Sequence, residues 1–302
     1  MKIIHGINKI RRFKNPVVAL GVFDGVHLGH QKILKAAINK ARSIKGTSMV
    51  VTFWPDPHKE QSIYSLEHRL RLMESLGIDA CVVINFNQSF SRIPAESFIK
   101  NILVKKIGVK HIYIGRNFRF GRRGEGDFKT LSNLSSLYQF KAKAFDIVKI
   151  NKQPISSTYI RRLIKQGKLN SAEKLLSRPV SVLGTVIRGA SLAAKLGFPT
   201  ANINPHHEVL PPPGIYAVKI IFNNRILKGV CYIGTKPTFK KQEQIHIEAH
   251  MFNFKKSIYG GYLEVQFIKK IRNDRKFSSL ELLARQIKKD VVCAHNIFSF
   301  PL

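Results

Sequence analysis

The feature that most constrains this chain is a change of periodicity near Pro179. From about residue 17 to 178, short apolar runs alternate with helix-like stretches. PVVALGVF (16–23), TSMVVTF (47–53), ACVVINF (80–86) and KHIYIG (110–115) read as strands. Between them, QKILKAAINKARSI (31–44), Ser65–Leu76 and Ala95–Lys105 read as helices. Strands separated by helices of this length predict a parallel sheet wound with crossover helices. Beyond Pro179, SVLGTVIRG, GIYAVKIIF, LKGVCYIG, IHIEAHMF and YLEVQFIKKI are strand-like and separated by Gly, Pro and Asn turns. Only residues 278–298 read as a helix there, with Ser278 and Glu281 as a predicted capping box. The second half is therefore expected to be a small antiparallel barrel closed by one helix. Two domains are expected, 1–180 and 181–302.

With 302 residues, 44% of them hydrophobic, the chain has enough apolar material for two cores. Its 51 Lys and Arg against 18 Asp and Glu give a formal charge of +33, which attracts polyanions of any kind. A basic nucleic-acid-binding protein is the non-enzyme reading that this charge allows. The cations are scattered along the whole chain, which favours a generally cationic enzyme surface over a nucleic-acid partner. No apolar run reaches the ~20 residues needed to span a bilayer. The N-terminal MKIIHGINKIRRF has no continuous apolar segment of the secretory type. Cys81, Cys231 and Cys293 are odd in number, far apart and not in metal-ligand spacing. A cytoplasmic protein with no membrane partner and no obligatory protein partner is expected.

GVFDGVHLGHQ (21–31) follows a buried strand and opens a helix, where α/β folds bind phosphates. Gly25 and Gly29 let the backbone approach a ligand closely. His27 and His30, three apart on the first turn, can face one phosphate where the helix dipole favours negative charge. Two capping or packing histidines on an ordinary strand–helix turn is the alternative. Further on, Ser156, Ser157 and Thr158 precede a helix running to about Gln166, with Gly167 as its C-cap. Hydroxyls and free N–H groups at that end could hold phosphate oxygens, and Arg161, one turn in, could offset transferring charge. A plain Ser/Thr cap with a solvated arginine is the alternative.

In the second half, LGFPTAN places Thr200 and Asn202 on one side of an extended segment, and both carry hard oxygen ligands of the type Mg²⁺ accepts. Alternation in HIEAHM puts His246, Glu248 and His250 on one face and Ile247, Ala249 and Met251 on the other. By itself that polar face also allows a His-Glu-His transition-metal site or a solvated barrel surface.

FDGVHLGH resembles the H-x-G-H signature of the nucleotidylyltransferase superfamily, and as a whole it resembles the bacterial bifunctional riboflavin kinase/FAD synthetase family. RNFRFGRRGEGDF (116–128), ISSTYIRR (155–162), LGFPTANI (196–203), PPPGIYAV (211–218), GVCYIGTKPTF (229–239) and KFSSLELLARQIKKD (276–290) continue the resemblance in order over nearly the whole chain. It implies an α/β Rossmann-like nucleotidylyltransferase domain acting as an FMN adenylyltransferase. A small antiparallel β-barrel riboflavin kinase domain with a C-terminal helix would follow it. The implied chemistry is ATP-dependent phosphorylation of riboflavin to FMN and adenylylation of FMN to FAD, with Mg²⁺ as cofactor and ATP as co-substrate.

Residue by residue, the resemblance implies phosphate or substrate contacts from Gly21, Phe23, Asp24, Gly25, Gly29, Asn117, Ser156, Ser157 and Thr158. His27, His30 and Arg161 would be the catalytic groups of that half. In the kinase half it implies Glu248 as base, Thr200 and Asn202 holding Mg²⁺–ATP or the flavin near the transferring phosphate, and Gly189 and Lys195 in the phosphate loop. The chain departs from the family pattern at several points. Arg116 replaces an acidic residue, and Asp56 in Phe53-Trp54-Pro55-Asp56-Pro57 replaces a histidine. Ala193-Ala194 stands for Gly-Arg, Tyr232 for Asn and Asn253 for Asp. These predict an active kinase with weakened ATP affinity. The enzyme alternative is a nucleotidylyltransferase with a different acceptor and a decayed kinase domain.

Overall fold

Val17–Leu20 has no exposed residue, as expected of a strand covered on both faces. The computed structural model describes residues 1–56, 61–189, 193, 196–236, 244–254 and 256–299. It divides into one unit of Met1–Ser62 with Leu66–Ser157 and another of Ile63–Ser65 with Thr158–Leu302. In the first unit, β1 (Lys2–His5), β2 (Val17–Leu20), β3 (Ser48–Trp54), β4 (Ala80–Asn85), β5 (His111–Gly115) and β6 (Lys141–Phe145) form one sheet in the order β1-β4-β3-β2-β5-β6. Every pairing in it is parallel.

Successive strand residues feed opposite layers. Val18, Leu20, Met49, Val51 and Ile112 pack on one side. Val17, Ala19, Val50, Cys81 and Tyr113 pack on the other, against Leu34, Ala37 and Ala41 of α1 (Leu28–Ser43). The periodicity places that helix at 31–44, but it starts at Leu28. The reason is local: His27 is extended, and its ring Nδ1 accepts the N–H of His30, which caps the helix one turn earlier. Strand β1, absent from the sequence reading, is a sheet edge whose single buried residue, Ile4, leaves no period to detect. The other helices of this unit are α2 (Leu66–Ser75), α3 (Gln88–Ser91), α4 (Ala95–Ser97), which continues in π geometry over Phe98–Ile107, and α5 (Phe128–Ser135). A ribbon of β7 (Lys149–Ile150) and β8 (Gln153–Pro154) leads to α6 (Ser157–Lys165) and α7 (Leu169–Leu176). Gly167 ends α6 at φ 73°, the C-cap that the sequence predicts.

In the second unit, β9 (Ser181–Ile187), β10 (Ala201–Asn204), β11 (Gly214–Phe222), β12 (Arg225–Lys236), β13 (Gln244–Met251) and β14 (Tyr262–Arg272) close into an antiparallel barrel. Tyr216, Val218, Ile220, Ile247, Ala249 and Phe267 are buried, and alternation puts them on the inner face. With that interior filled, α8 (Leu280–Ser299) packs on the outer wall, where Ala294 meets Ala217 and Val230. Arg272 at the end of β14 donates to Asp290 of α8 at 2.8–3.1 Å, and Asp290 is buried. The predicted capping box does not form. The helix begins one residue later, so Ser279 is the cap and its hydroxyl accepts the N–H of Leu282 at 3.2 Å. Among the described residues, no helix is long and apolar enough to cross a membrane.

Candidate active sites

The strand order reverses between β2 and β5, and open α/β sheets form a ligand crevice at the carboxyl ends of such a pair. The turn after β2 runs through Phe23 (φ 57°), Gly25 (φ 80°) and Val26 (φ 38°). A positive φ at a β-branched residue is an outlier, and such strain persists only where the surroundings fix the backbone. Here the Val22 carbonyl accepts from Thr52 (3.0 Å) and Arg69 (2.7 Å), and the Val26 carbonyl accepts from the Gln31 amide (3.0 Å).

That turn delivers His27 and His30 to the start of α1. Their rings stack, with centroids 3.6 Å apart and planes 19° apart, and Phe23 meets His30 edge-on at 5.3 Å. His27 Nδ1 accepts a backbone N–H, so a neutral ring carries its hydrogen on Nε2 and can donate there. His27 is therefore a capping residue and a potential phosphate donor at once. A Cβ on Gly29 would come 3.2 Å from the His27 ring, so a glycine keeps the pair unobstructed. Gly21 lies under the Phe23 ring. Ser157 donates to the Asp24 carbonyl at 2.9 Å, which ties the start of α6 to the histidine turn. Ser156 is exposed beside it, and Asn117 is exposed just beyond β5, the neighbour of β2. Arg116 pairs with Asp146, whose carboxyl it holds below the usual range by hydrogen bond and charge. Thr158 and Arg161 lie on α6 within the second unit.

One feature of this unit escapes sequence reasoning. Phe53, Phe86, Phe90, Phe98, Phe118 and Phe120 line a cavity of about 210 Å³ with Val22. Phe53 and Phe118 stack at 6.4 Å and 23°. Each phenylalanine alone reads as core. The available signal was that three of them, 53, 86 and 118, fall at or just past the ends of strands. Asp56 follows the cis Trp54–Pro55 bond, and Pro57 lies outside the described residues.

In the barrel, register brings distant segments together. Asn202 of β10 and Tyr232 of β12 both stand opposite Glu248 of β13. The Thr200 hydroxyl donates to Glu248 Oε2 at 3.2 Å. The His250 ring holds the Pro199 carbonyl at 2.8 Å through Nδ1, which must carry the hydrogen because a carbonyl only accepts. A Cβ on Gly189 would come 2.1 Å from the Asn202 amide, so the bare backbone is what lets that carboxamide lie where it does. Lys195 and Ala194 lie outside the described residues.

Phe198, Thr200, Tyr232, Glu248, Arg272 and Phe277 are among the residues around a cavity of about 280 Å³ between the outer barrel wall and α8. Burial, then the neighbouring charge of Glu248, pushes the Cys231 thiol well up, so Cys231 is packing and not a nucleophile. Among the described residues, no group of three or more His, Cys, Asp and Glu side chains is arranged to hold a metal, so the His-Glu-His alternative gains no support.

A turn bearing two stacked histidines at the crossover of a parallel sheet, followed by a barrel with a carboxylate and hydroxyl at its cavity, fits a two-part transferase. The FAD synthetase family model matches residues 9–159 and the riboflavin kinase model matches residues 176–298. A bifunctional riboflavin kinase/FMN adenylyltransferase of Buchnera aphidicola subsp. Schizaphis graminum is 38% identical over 99% of both chains. The protein of that name from Bacillus subtilis is 37% identical over 94% of this chain and 92% of its own. A solved structure named as a macrolide-efflux protein from Streptococcus pneumoniae superposes with a TM-score of 0.84 at 28% identity, covering 98% of this chain and 99% of that one. The chain belongs to the bifunctional riboflavin kinase/FMN adenylyltransferase family.

Proposed function

We propose that the chain makes FMN from riboflavin at the barrel and FAD from FMN at the parallel sheet, with ATP as co-substrate in each step. The observation that carries this reading is the coexistence of the stacked His27–His30 pair at a helix N-terminus with the Thr200–Glu248 contact under α8. In the first step, Glu248 takes the proton from the ribityl hydroxyl as its oxygen attacks the γ-phosphorus and ADP departs. Thr200 positions the carboxylate for that transfer. The Thr200 hydroxyl and Asn202 carboxamide, side by side with Glu248, fit a hard-oxygen site, and they would hold Mg²⁺. Mg²⁺ bound there would supply positive charge against the ATP phosphates. Gly189 leaves room for the Asn202 carboxamide.

In the second step an FMN phosphate oxygen attacks the α-phosphorus of ATP, and pyrophosphate leaves. That phosphate is mostly dianionic at neutral pH, its second pKa being about 6, so no general base is needed. The site has to align two phosphates and neutralise the leaving group. His27 Nε2 and His30, with Ser156, Ser157 and Asn117 of the same unit, have the donor character for this; the resemblance adds the Thr158 hydroxyl and the Arg161 cation. The phenylalanine cavity suits the flavin ring, since offset and edge contacts between aromatic faces favour a planar heterocycle.

We place the functional division at about residue 180. It is supported by the two family-matched segments, 9–159 and 176–298, between which most of α6 and α7 lies just before the first barrel strand. A cytoplasmic location and small-molecule partners complete the reading. The test is to incubate the protein with riboflavin, ATP and Mg²⁺ and separate the flavins by chromatography. Both FMN and FAD should accumulate. FAD made from supplied FMN but no FMN made from riboflavin would favour the decayed-kinase alternative instead. Retention on DNA that falls steeply with salt, without flavin turnover, would favour the nucleic-acid reading.

A further inference from the structure

We propose that Tyr232 is a positioning residue for the kinase reaction: through its hydrogen bond to Asp274 it holds residues 273–277 as one wall of the riboflavin cavity beside Glu248. The inference rests on the kinase reading above. Tyr232 stands opposite Glu248 in the β12–β13 register, so phenol and carboxylate share one face of the cavity. The ring lies flat along its own strand over Gly234: a Cβ there would come 1.9 Å from the phenol oxygen. A side chain at residue 234 would push the ring off the strand and away from Asp274.

The Tyr232 hydroxyl reaches Asp274 Oδ2 at 3.1 Å. A carboxylate only accepts, so the phenol is the donor. Burial, then the charges of Asp274 and Glu248, pushes the phenol up to about 12, which keeps it a donor throughout the neutral range. Its hydrogen is thus committed to Asp274, which argues for positioning rather than proton transfer.

Asp274 passes the constraint along the chain. Its Oδ1 accepts the N–H of Arg275 at 2.8 Å. The Arg275 guanidinium lies 4.7 Å over the Phe277 ring and donates to Gln286 of α8. Arg272, just before, is locked onto Asp290 of α8. The segment after β14 is therefore fastened to α8 by Arg272 and Arg275, and to the barrel wall by Tyr232. Arg272, Asp274, Arg275 and Phe277 all face the cavity that also holds Glu248. Loosening the tether to the wall frees a cavity lining without touching the group that takes the proton.

The experiment compares Tyr232→Phe, Asp274→Ala, Asp274→Asn and the Tyr232→Phe/Asp274→Ala double variant in the full chain. It measures kcat and KM for riboflavin phosphorylation, with FMN adenylylation as the check that each protein is folded. A hydrogen bond to a charged acceptor supports a rise in KM of about tenfold in Tyr232→Phe and Asp274→Ala, with kcat within about twofold of wild type. The double variant should be no worse than Asp274→Ala alone, because that change already removes the Tyr232 bond along with the Arg275 one. Asp274→Asn, which keeps an accepting oxygen, should recover most of the affinity. An unchanged KM in Tyr232→Phe overturns the proposal, as do multiplicative effects in the double variant or a kcat that falls as far as kcat/KM. A wild-type protein that makes no FMN overturns the kinase reading and this inference with it. An unaffected Tyr232→Phe beside an active wild type overturns this inference alone.

Discussion

The two sites place their chemistry on opposite kinds of scaffold. In the parallel-sheet unit the proposed histidine donors lie within seven consecutive residues, Asp24–His30, on a turn that a strand and a helix hold from both ends. In the barrel, Thr200, Tyr232, Glu248 and Asp274 come from separate segments and meet through strand register and two crossing hydrogen bonds, Thr200 to Glu248 and Tyr232 to Asp274. The difference follows from what each reaction needs. A phosphate nucleophile arrives already charged and asks for donors, which backbone N–H groups and a helix N-terminus supply locally. A hydroxyl nucleophile asks for a base held at one point, and a strand in a closed barrel holds a side chain in a fixed direction.

The sharpest test of this contrast is Glu248→Gln, which keeps shape and removes the base. FMN formation should fall by ~10²–10⁴ in kcat, while FAD formation from supplied FMN stays within about twofold. Both activities falling together in a folded protein would break the contrast, because the sheet site would then depend on a barrel side chain. The mirror experiment is His27→Ala or His30→Ala, read out as FAD formation. Losing one donor to the developing charge should cost ~10²–10³ in rate, and riboflavin phosphorylation should be untouched.

A smaller effect is expected from Gly189→Ala. The new methyl would collide with the Asn202 carboxamide. Forced repacking of ~1–3 kcal/mol should appear mainly as a rise of about tenfold or more in the KM for ATP of the kinase reaction. If the KM for ATP is unchanged, Asn202 is not a nucleotide contact. The smallest effect belongs to Phe118→Ala in the phenylalanine cavity. Loss of one aromatic contact of ~0.5–1.5 kcal/mol should raise the KM for FMN several-fold in adenylylation, with kcat nearly constant. An unaltered KM for FMN would put the flavin ring elsewhere.

How much of each site the sequence reveals tracks the same contrast. The histidine turn is readable because its residues are contiguous and its context, buried strand then helix, is a local pattern. Even there the apolar period puts the helix start three residues late, because the actual start is set by a histidine ring acting as cap. The alternation of HIEAHM correctly predicts which residues of β13 are buried, because a period of two is a property of any extended chain. The pairing of Glu248 with Asn202 and Tyr232 had no such signal, since register across a barrel depends on every turn between the strands. The six phenylalanines of the sheet cavity left only the strand-end position of 53, 86 and 118 as a signal, because a phenylalanine that fills a core and one that lines a cavity look alike in sequence.

The sequence alone determined the order of the two folds, the point near Pro179 where the pattern changes, and the local histidine turn. These rest on interactions between residues a few positions apart, which leave a period or a motif behind. Tertiary structure alone decided that α8 covers the outer wall of the barrel, where the kinase cavity forms, and that Tyr232 reaches Asp274. Those contacts join residues tens of positions apart, and their geometry is fixed by how the barrel interior fills and closes, which no short window of sequence encodes.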